Sequence, residues 1–317
     1  MIIDIECDIP TKEAVEASLD SHASGERQET GMINYFNLFG PRWAAEIGMT
    51  LAEFEEAKKA LGLKKLARMI KEKSLEKAMT NEQFLHMLEE AGVTYACIGT
   101  GRWASNEHTA NLAKESKGRL IPWARIGPTE GMAGVRKLEH CVKELGFRGF
   151  VVSPFREKIY VNDKKYYPFY AKCVELDIPM RTHTSMNYAT DRAMDLGRPI
   201  HLDEVARDFP EMTIIAGLGG WPWVPELVGL ARRHQNVYID LAAHRPKYVK
   251  VPGSGFEMLL HFGNTVLQDK ILFASSWMTL GLPLKQVIQE MEELPRSEGV
   301  KKKWMYGNAA RILKLAT

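Results

Sequence analysis

The sequence predicts an α/β fold, specifically a closed TIM (β/α)8 barrel, and three observations lead to that prediction. Short β-branched runs recur along the 317 residues, amphipathic helical patterns lie between them, and eight such runs are present. Repeated βα units indicate a parallel sheet, and eight strands that are each followed by a helix favour a closed barrel over an open sheet. The length fits a single barrel domain over 1–317.

The predicted elements follow one another in βα order, with two insertions. The predicted strands are 2–7, 95–100, 120–126, 149–154, 179–184, 213–218, 237–241 and 271–276. Residues 132–145 show helical apolar spacing that stops at Gly146, and 81–91 is also predicted as a helix. Residues 9–80 form a long insertion, predicted as loop in its first half and helix over 51–79, and we expect it to be a cap or an oligomer contact. A second insertion, 185–199, follows strand five.

Composition excludes several classes of partner. Lys and Arg number 42 against 40 Asp and Glu, so the charge gives no reason to expect nucleic acid or another polyanion. The sequence shows neither a secretory leader nor an apolar run that is long enough to span a bilayer. The four cysteines lack Cys-x-x-Cys spacing. We therefore expect a cytoplasmic protein without a membrane or nucleic-acid partner. Cys7 is predicted to be a buried, inert thiol on the strand face opposite Glu6.

Two carboxylates at the end of strand one are the most informative pair in the sequence. Residues two apart on a strand point to the same side, so Glu6 and Asp8 are expected to share one face. Their mutual repulsion needs a cation, a metal or a shared proton, which indicates either a site or a compensated salt bridge.

Polar residues also end the other strands, and strand ends of a barrel converge on one mouth. His183 ends strand five, and its ordinary pKa near 6.5 makes it the expected proton carrier. Arg181 faces the same way and needs an anion, which Glu6, Asp8, Asp240 or a substrate carboxylate could supply. Further candidates for holding an anionic substrate are Arg102, Arg125, Arg156, Arg245, Ser276 and Trp277.

Several segments together resemble the amidohydrolase-related proteins of the aminocarboxymuconate-semialdehyde decarboxylase type, which are TIM barrels. The resemblance rests on Gly-Phe-Arg-Gly-Phe at 146–150, Tyr-Pro-Phe-Tyr at 167–170 leading to His183, and Gly-Gly-Trp-Pro at 219–222. It also rests on Asn-Val-Tyr-Ile-Asp-Leu at 236–241 and on the ending 306–313. It covers strand one and, more continuously, residue 81 to the C terminus, but not the insertion 9–80.

The resemblance implies a divalent metal, often zinc, but the expected ligand set is incomplete. The family's strand-five histidine corresponds to His183, and Glu6 matches a benzoate decarboxylase branch. Asp8 stands where a histidine is expected, Gly217 where a strand-six histidine belongs, and Ser276 where the strand-eight acid belongs. If an ion binds, Glu6, Asp8 and His183 would hold it; the alternative is that the guanidinium of Arg181 takes over the charge of the metal.

These residues favour an enzyme that acts on a small cyclic or aromatic carboxylate with little or no help from a metal. Decarboxylation is preferred, with His183, Glu6 and Asp8 as catalytic residues and the arginines, Ser276 and Trp277 as substrate-binding residues. Hydrolysis of a lactone, ester or ring bond is the first alternative, and a hydratase or isomerase of ring-cleavage products is a third. A barrel that has lost catalysis and serves as a binding protein is the alternative from another class. The resemblance also implies a homo-oligomer.

Overall fold

The eight predicted strands form the barrel. The computed structural model describes residues 1–16, 33–99 and 104–315. Within them, the parallel strands are β1 (Ile2–Asp4), β2 (Val93–Ile98), β3 (Leu120–Pro122, continued by Ala124–Arg125), β4 (Phe150–Val152), β5 (Met180–His183), β6 (Ile214–Gly217), β7 (Val237–Asp240) and β8 (Ile271–Leu272). Each lies inside a predicted strand or within two residues of one, so the TIM barrel is confirmed.

Backbone hydrogen bonds close the barrel at the two places where the regular ladders are interrupted. In β3, Trp123 N–H donates to the carbonyl of Ile98 on β2 at 2.9 Å, and Ala124 N–H donates to Gly149 before β4 at 2.8 Å. Beyond β1, Ile5 N–H donates to Phe273 O at 2.9 Å. The first and last strands are thereby joined, and the strand ends form one mouth.

The strand residues divide into two buried layers. Ile3, Cys97, Trp123 and Ile215 belong to a cluster that contains side chains from around the barrel together with the C-terminal helix. The neighbouring strand positions belong to the larger cluster shared with the surrounding helices. Because side chains alternate along a strand, the first cluster fills the barrel interior below the mouth.

Helices surround the strands and supply the loops of the mouth. Their bounds are α1 (Ile33–Glu46), α2 (Leu51–Glu76), α3 (Asn81–Glu90), α4 (Asn106–Glu115), α5 (Gly131–Lys143), α6 (Pro154–Glu157), α7 (Tyr167–Glu175), α8 (His201–Asp208), α9 (Val224–Arg233), α10 (Pro246–Val249), α11 (Glu257–Gly263), α12 (Trp277–Leu280), α13 (Leu284–Glu292), α14 (Glu298–Lys302) and α15 (Asn308–Ile312). Helix α5 confirms the helix predicted before Gly146, which has a φ of 74°.

The long insertion is more helical than predicted. Residues 33–46 form α1 where the sequence was interpreted as loop, because Gly40 and the aromatic residues of this stretch lie on a helix that packs against α2. Phe54, Leu66 and Ile70 of α2 are buried with Ala44 in a small core of their own. The predicted helix over 51–79 is confirmed as α2, with a kink at Gly62, where φ is 74°.

Helix α1 lies at the mouth of the barrel. It contacts α12, which follows β8, and the ring of Phe39 meets the ring of Tyr188 edge-on at 5.9 Å between centroids. Tyr188 lies in the second insertion, after β5. The insertion thus contacts two separate sides of the mouth.

The strand predicted over 2–7 ends earlier than expected. β1 stops at Asp4 and the chain bends at Ile5 and Glu6, so the directions of Glu6 and Asp8 follow from the bend rather than from strand alternation. Cys7 nevertheless packs in the outer layer, 1 % exposed, and burial raises the pKa of its thiol, which confirms that it is inert.

Among the described residues, helices long and apolar enough to cross a membrane do not occur.

The close approach of β3 and β4 gives a first test of the packing. A Cβ atom added at Gly149 would lie 2.3 Å from the buried ring of Trp123, whereas Gly229, exposed on α9, has open space around it. We expect Gly149→Ala to lower the free energy of unfolding by about 1–3 kcal/mol and the control Gly229→Ala to raise it by up to about 1 kcal/mol. Chemical denaturation measures both; equal effects would contradict the packing described.

Candidate functional site

The strand ends bring four polar side chains together in the mouth. Arg181 and His183 lie on β5, Asp240 ends β7, and Glu6 follows the bend after β1. The β5–β6 register sets Arg181 opposite Ile215 and His183 opposite Gly217. These residues belong to strands on both sides of the barrel, and their side chains meet because all the strand ends face the same opening.

Arg181 forms ion pairs with two carboxylates. Its Nε lies 2.7 Å from Asp240 Oδ2, and one terminal nitrogen lies 3.2 Å from Asp240 Oδ1. The same terminal nitrogen is in direct contact with Glu6 Oε2. The three residues are 2 %, 0 % and 7 % exposed, so the network is almost fully withdrawn from water. The anion that Arg181 was expected to need is thus supplied within the protein, by an internal salt bridge.

One positive charge cannot neutralise two buried carboxylates, and the result is a raised pKa for Glu6. Burial is the main cause that raises its pKa to about 7; Arg181 opposes this, while Asp240 and Asp8 add to it. Asp240 is better held, because it has the two-point contact with Arg181 and also accepts from the amides of Leu218 and Ala242, each at 3.0 Å. Protonation of Glu6 therefore removes the surplus negative charge from the network.

Ser276 holds the second oxygen of Glu6. Its hydroxyl is hydrogen-bonded to Glu6 Oε1, and its backbone N–H donates to the carbonyl of Glu6 at 3.0 Å. Ser276 has a φ of 41°, a left-handed conformation that costs free energy for a residue with a Cβ atom. Ser276, which was predicted to bind substrate, holds the Glu6 carboxyl in place through these contacts.

Asp4 is a site residue that the sequence interpretation missed. Its carboxylate accepts from Ser275 N–H at 2.9 Å, from Ser275 Oγ at 2.5 Å and from Glu6 N–H at 3.1 Å. Burial is the main cause that raises its pKa to about 6. It fixes the bend that carries Glu6. The signal was present in the sequence, since Asp4 precedes Glu6 by two residues as Glu6 precedes Asp8.

Asp8, predicted as catalytic, contacts the loop after β8. Its Oδ2 accepts from the backbone amides of Met278 at 3.1 Å and Thr279 at 3.2 Å, in the first turn of α12. The side chain is 1 % exposed. Asp8 thus holds the loop after β8, and its charge contributes to the raised pKa of Glu6.

His183 does not have the pKa expected of it. Burial, together with the positive charges of Arg181 and Arg156, lowers its pKa to about 3. Its ring lies 4.6 Å from the ring of Phe155, and within the described residues its buried Nδ1 atom has no hydrogen-bond partner. The imidazole is neutral at neutral pH, so the expectation of a histidine that titrates there is not met.

The predicted substrate-binding residues divide into several groups. Burial lowers the pKa of Arg125 to about 10, although the charge of Glu6 partly offsets that cost. Arg156 lies over the ring of Phe155, 5.4 Å from its centroid. Arg245 is instead engaged at the periphery by Glu290, with Nε 2.9 Å from both carboxylate oxygens, and Arg102 lies outside the described residues.

Trp277 and His244 are two further polar residues of the mouth. In the described part of the chain, the indole N–H of Trp277 is buried without an acceptor. His244, on the loop after β7, has its pKa lowered to about 4, mainly by burial, and its ring lies 4.9 Å from that of Phe256. His244 was not among the predicted site residues.

The donor atoms do not fit the divalent ion that the resemblance implies. Both oxygens of Glu6 and both of Asp240 are engaged by protein donors, and Asp8 Oδ2 is engaged by two amides. Across residues 1–16, 33–99 and 104–315, groups of three His, Cys, Asp or Glu side chains placed to hold a metal do not occur. The cation among these carboxylates is a guanidinium.

A comparison with known protein families gives one match. The family model described as Amidohydrolase matches residues 66–315. The match begins inside the long insertion, at α2, so the family likeness includes part of a segment that the sequence interpretation had left outside it.

Curated relatives and solved structures carry related names. Over 254 residues, 67 % of this chain and 75 % of the other, the sequence is 24 % identical to gamma-resorcylate decarboxylase from Polaromonas sp.. Over 126 residues, 37 % of each chain, it is 26 % identical to 2-keto-4-carboxy-3-hexenedioate hydratase from Sphingobium sp., so that match spans little more than a third of the hydratase. The structure of 5-carboxyvanillate decarboxylase from Novosphingobium aromaticivorans, complexed with manganese, has the same fold, with a TM-score of 0.64, 17 % identity and coverage of 99 % and 96 %.

The buried ion pair gives a second test, by comparison with a peripheral one. Asp240→Asn removes the two-point partner of Arg181 and leaves the guanidinium undercompensated, so we expect a loss of about 3 kcal/mol in the free energy of unfolding. The control Glu226→Gln breaks the exposed pair with Arg198 and is expected to cost about 1 kcal/mol or less. Denaturant unfolding of both variants measures the difference, and equal losses would show that the pair in the mouth is not specially buried.

Proposed function

The chain belongs to the amidohydrolase family, and from that premise we propose that it decarboxylates a small aromatic carboxylate by acid–base catalysis, with little or no help from a metal ion. The observation that carries the proposal is the charge arrangement in the mouth. One guanidinium faces two carboxylates, and the carboxyl of Glu6 is the group whose pKa, about 7, suits proton transfer at neutral pH.

The relatives support the type of reaction. The relative matched over two thirds of this chain is a gamma-resorcylate decarboxylase, and the structure of 5-carboxyvanillate decarboxylase shares the fold over nearly its whole length. Hydration is the second candidate, because the hydratase matches a third of the chain at slightly higher identity. Decarboxylation is preferred because the match to the decarboxylase extends further along the sequence than the match to the hydratase.

Glu6 is the proposed proton donor. In decarboxylation, the ring carbon that bears the carboxylate must accept a proton before the bond to the carboxyl carbon breaks. Protonated Glu6 gives its proton to that carbon, the electron pair of the broken C–C bond returns to the ring, and CO₂ leaves. The carboxylate of Glu6 then takes a proton from water, so each turnover consumes one proton. Ser276 and Arg181 hold the Glu6 carboxyl in place during both transfers.

The remaining polar groups suit an anionic aromatic substrate. Arg125 is partly buried beside Glu6, and its guanidinium could also pair with a substrate carboxylate. The indole N–H of Trp277 offers a donor to a ring hydroxyl or carboxylate oxygen. His183, neutral and beside Phe155, contributes a hydrogen-bonding edge and a flat surface rather than a proton at neutral pH.

Residues 9–80 serve as a cap in this proposal, within a single domain over 1–317. Helix α1 contacts α12 on one side of the mouth, and Phe39 contacts Tyr188 on the other. Such a bridge would limit access of water and add aromatic surface for a ring. Self-association and a cytoplasmic location remain predictions.

A decarboxylase assay of Glu6→Gln tests the proposal. With hydroxybenzoates and related aromatic acids as substrates, we expect CO₂ release by the wild type and a loss of about 10²–10⁴-fold in kcat for Glu6→Gln, as for removal of a general acid. For the wild type, kcat/KM should fall above a pH of about 7, because Glu6 is active when protonated and loses its proton there.

The control is Glu226→Gln, which removes a carboxylate that pairs with Arg198 at the protein surface. It should retain wild-type turnover. Unchanged CO₂ release by Glu6→Gln would contradict the role given to Glu6. If the wild type adds water to an unsaturated keto acid and releases no CO₂, hydration replaces decarboxylation as the activity.

A further inference from the structure

We propose that the end of the barrel opposite the mouth has a second binding site, which takes a small organic dianion such as a phosphate monoester or a dicarboxylate. The site is a cavity of about 550 Å³, a volume within the usual range for small-molecule pockets. Its lining includes Tyr95, Lys117, Arg119, Arg148 and Leu315, and we call it the basic cavity. The inference does not depend on the reaction at the mouth, so the two proposals can fail separately.

The topology places the basic cavity at the N-terminal ends of three neighbouring strands. Tyr95 lies near the start of β2, and Arg148 lies two residues before β4. Lys117 and Arg119 belong to the turn that leads into β3. The mouth is formed by the C-terminal ends of the same parallel strands. The side chains that fill the barrel interior therefore separate a ligand in the basic cavity from the mouth.

Two of the three cations in the basic cavity lack a carboxylate partner in the described part of the chain. Lys117 is exposed, and its ammonium group makes neither an ion pair nor a hydrogen bond there. Arg148 donates from one terminal nitrogen to the carbonyl of Leu313 at 2.5 Å, a contact that does not neutralise its charge. The described lining contains no acidic side chain. Two uncompensated positive charges beside one cavity favour a ligand with two negative charges.

Arg119, the third cation, is compensated in part and is held in place. One terminal nitrogen donates to Val93 O at 3.1 Å, and the other lies 3.7 Å from the carboxylate of Glu89, which is 73 % exposed. Arg148 is likewise held by its contact with a backbone carbonyl. A guanidinium has five N–H donors, so both arginines keep donors for a ligand while their positions are already set. Such preorganisation lowers the entropic cost of binding.

The inner side of the basic cavity is apolar. Tyr95 and Leu315 are half-buried and pack against the cluster that fills the barrel interior. The three basic side chains thus lie beside a surface made by an aromatic ring and an aliphatic side chain. Apolar walls combined with a few charged groups are typical of sites for organic ligands. We therefore infer an organic dianion, whose apolar part lies on this surface.

A second basic segment of the chain shows what a compensated surface looks like. In the run 301–303, Lys301 lies 2.8 Å from the carboxylate of Glu298, and Lys303 lies 2.8 Å from that of Asp269. Those charges are paired within the protein and need no ligand. The basic cavity differs because its lysine and one of its arginines have no such partner among the described residues.

Calorimetric titration with phenyl phosphate and, separately, with phthalate tests the inference at constant ionic strength. We expect saturable binding of at least one of them to the wild type, about five- to tenfold weaker binding to Lys117→Gln, and a loss of at least about thirtyfold for Lys117→Glu. Lys117 is exposed and unpaired, so both variants should fold. Inorganic phosphate, which lacks the apolar part, should bind at least about fivefold more weakly than phenyl phosphate.

Two control variants locate the bound probe. Lys65→Gln removes the same charge from α2, where Lys65 is exposed, and should bind like the wild type. Arg125→Gln changes the mouth and should also keep the binding that Lys117→Glu loses. Preference for phenyl phosphate would identify a phosphate monoester as the ligand class, and preference for phthalate a dicarboxylate.

Three results overturn the inference. The first is that neither probe binds the wild type. The second is that Lys117→Glu binds as tightly as the wild type, or that Lys65→Gln loses as much affinity as Lys117→Gln. The third is that binding is lost in Arg125→Gln and kept in Lys117→Glu, which would place the probe in the mouth. Each of these results leaves the role proposed for Glu6 unchanged.

Discussion

One guanidinium buried between two carboxylates is the constraint on which the rest of the site depends. Arg181 has a permanent charge that satisfies Asp240 through two contacts and leaves Glu6 with one. Burial penalises the remaining negative charge, so the proton equilibrium of Glu6 lies near neutral pH. A charge imbalance within a closed network thus raises the pKa of this glutamate into the range that suits the acid catalysis proposed for it.

The surrounding chain is shaped to hold this network. Gly217 leaves the space that the guanidinium needs, and Asp4 fixes the bend that turns Glu6 into the mouth. Ser276 adopts a left-handed conformation to reach the free oxygen of Glu6. Each of these features is costly or restrictive on its own, and together they indicate that the position of Glu6 is the property being maintained.

The sequence predicted the barrel, and which residues lie at its mouth, better than it predicted what each of those residues does there. Strand periodicity and βα order depend on local patterns, and β1 to β8 lie where those patterns placed them. The roles of Asp8 and His183 depend on partners distant in sequence: α12 amides for Asp8, and Arg181 with Phe155 for His183. Helix α1 was mistaken for a loop because its stability comes from packing on α2, which composition does not reveal.

The protonation state of Glu6 tests the account most directly. Difference infrared spectra of wild type and Glu6→Gln, recorded across a pH titration, isolate the carbonyl band of this one protonated carboxyl group. The account predicts a protonated Glu6 below neutral pH whose band disappears with a midpoint near pH 7. A Glu6 that is already ionised throughout the slightly acidic range would contradict it.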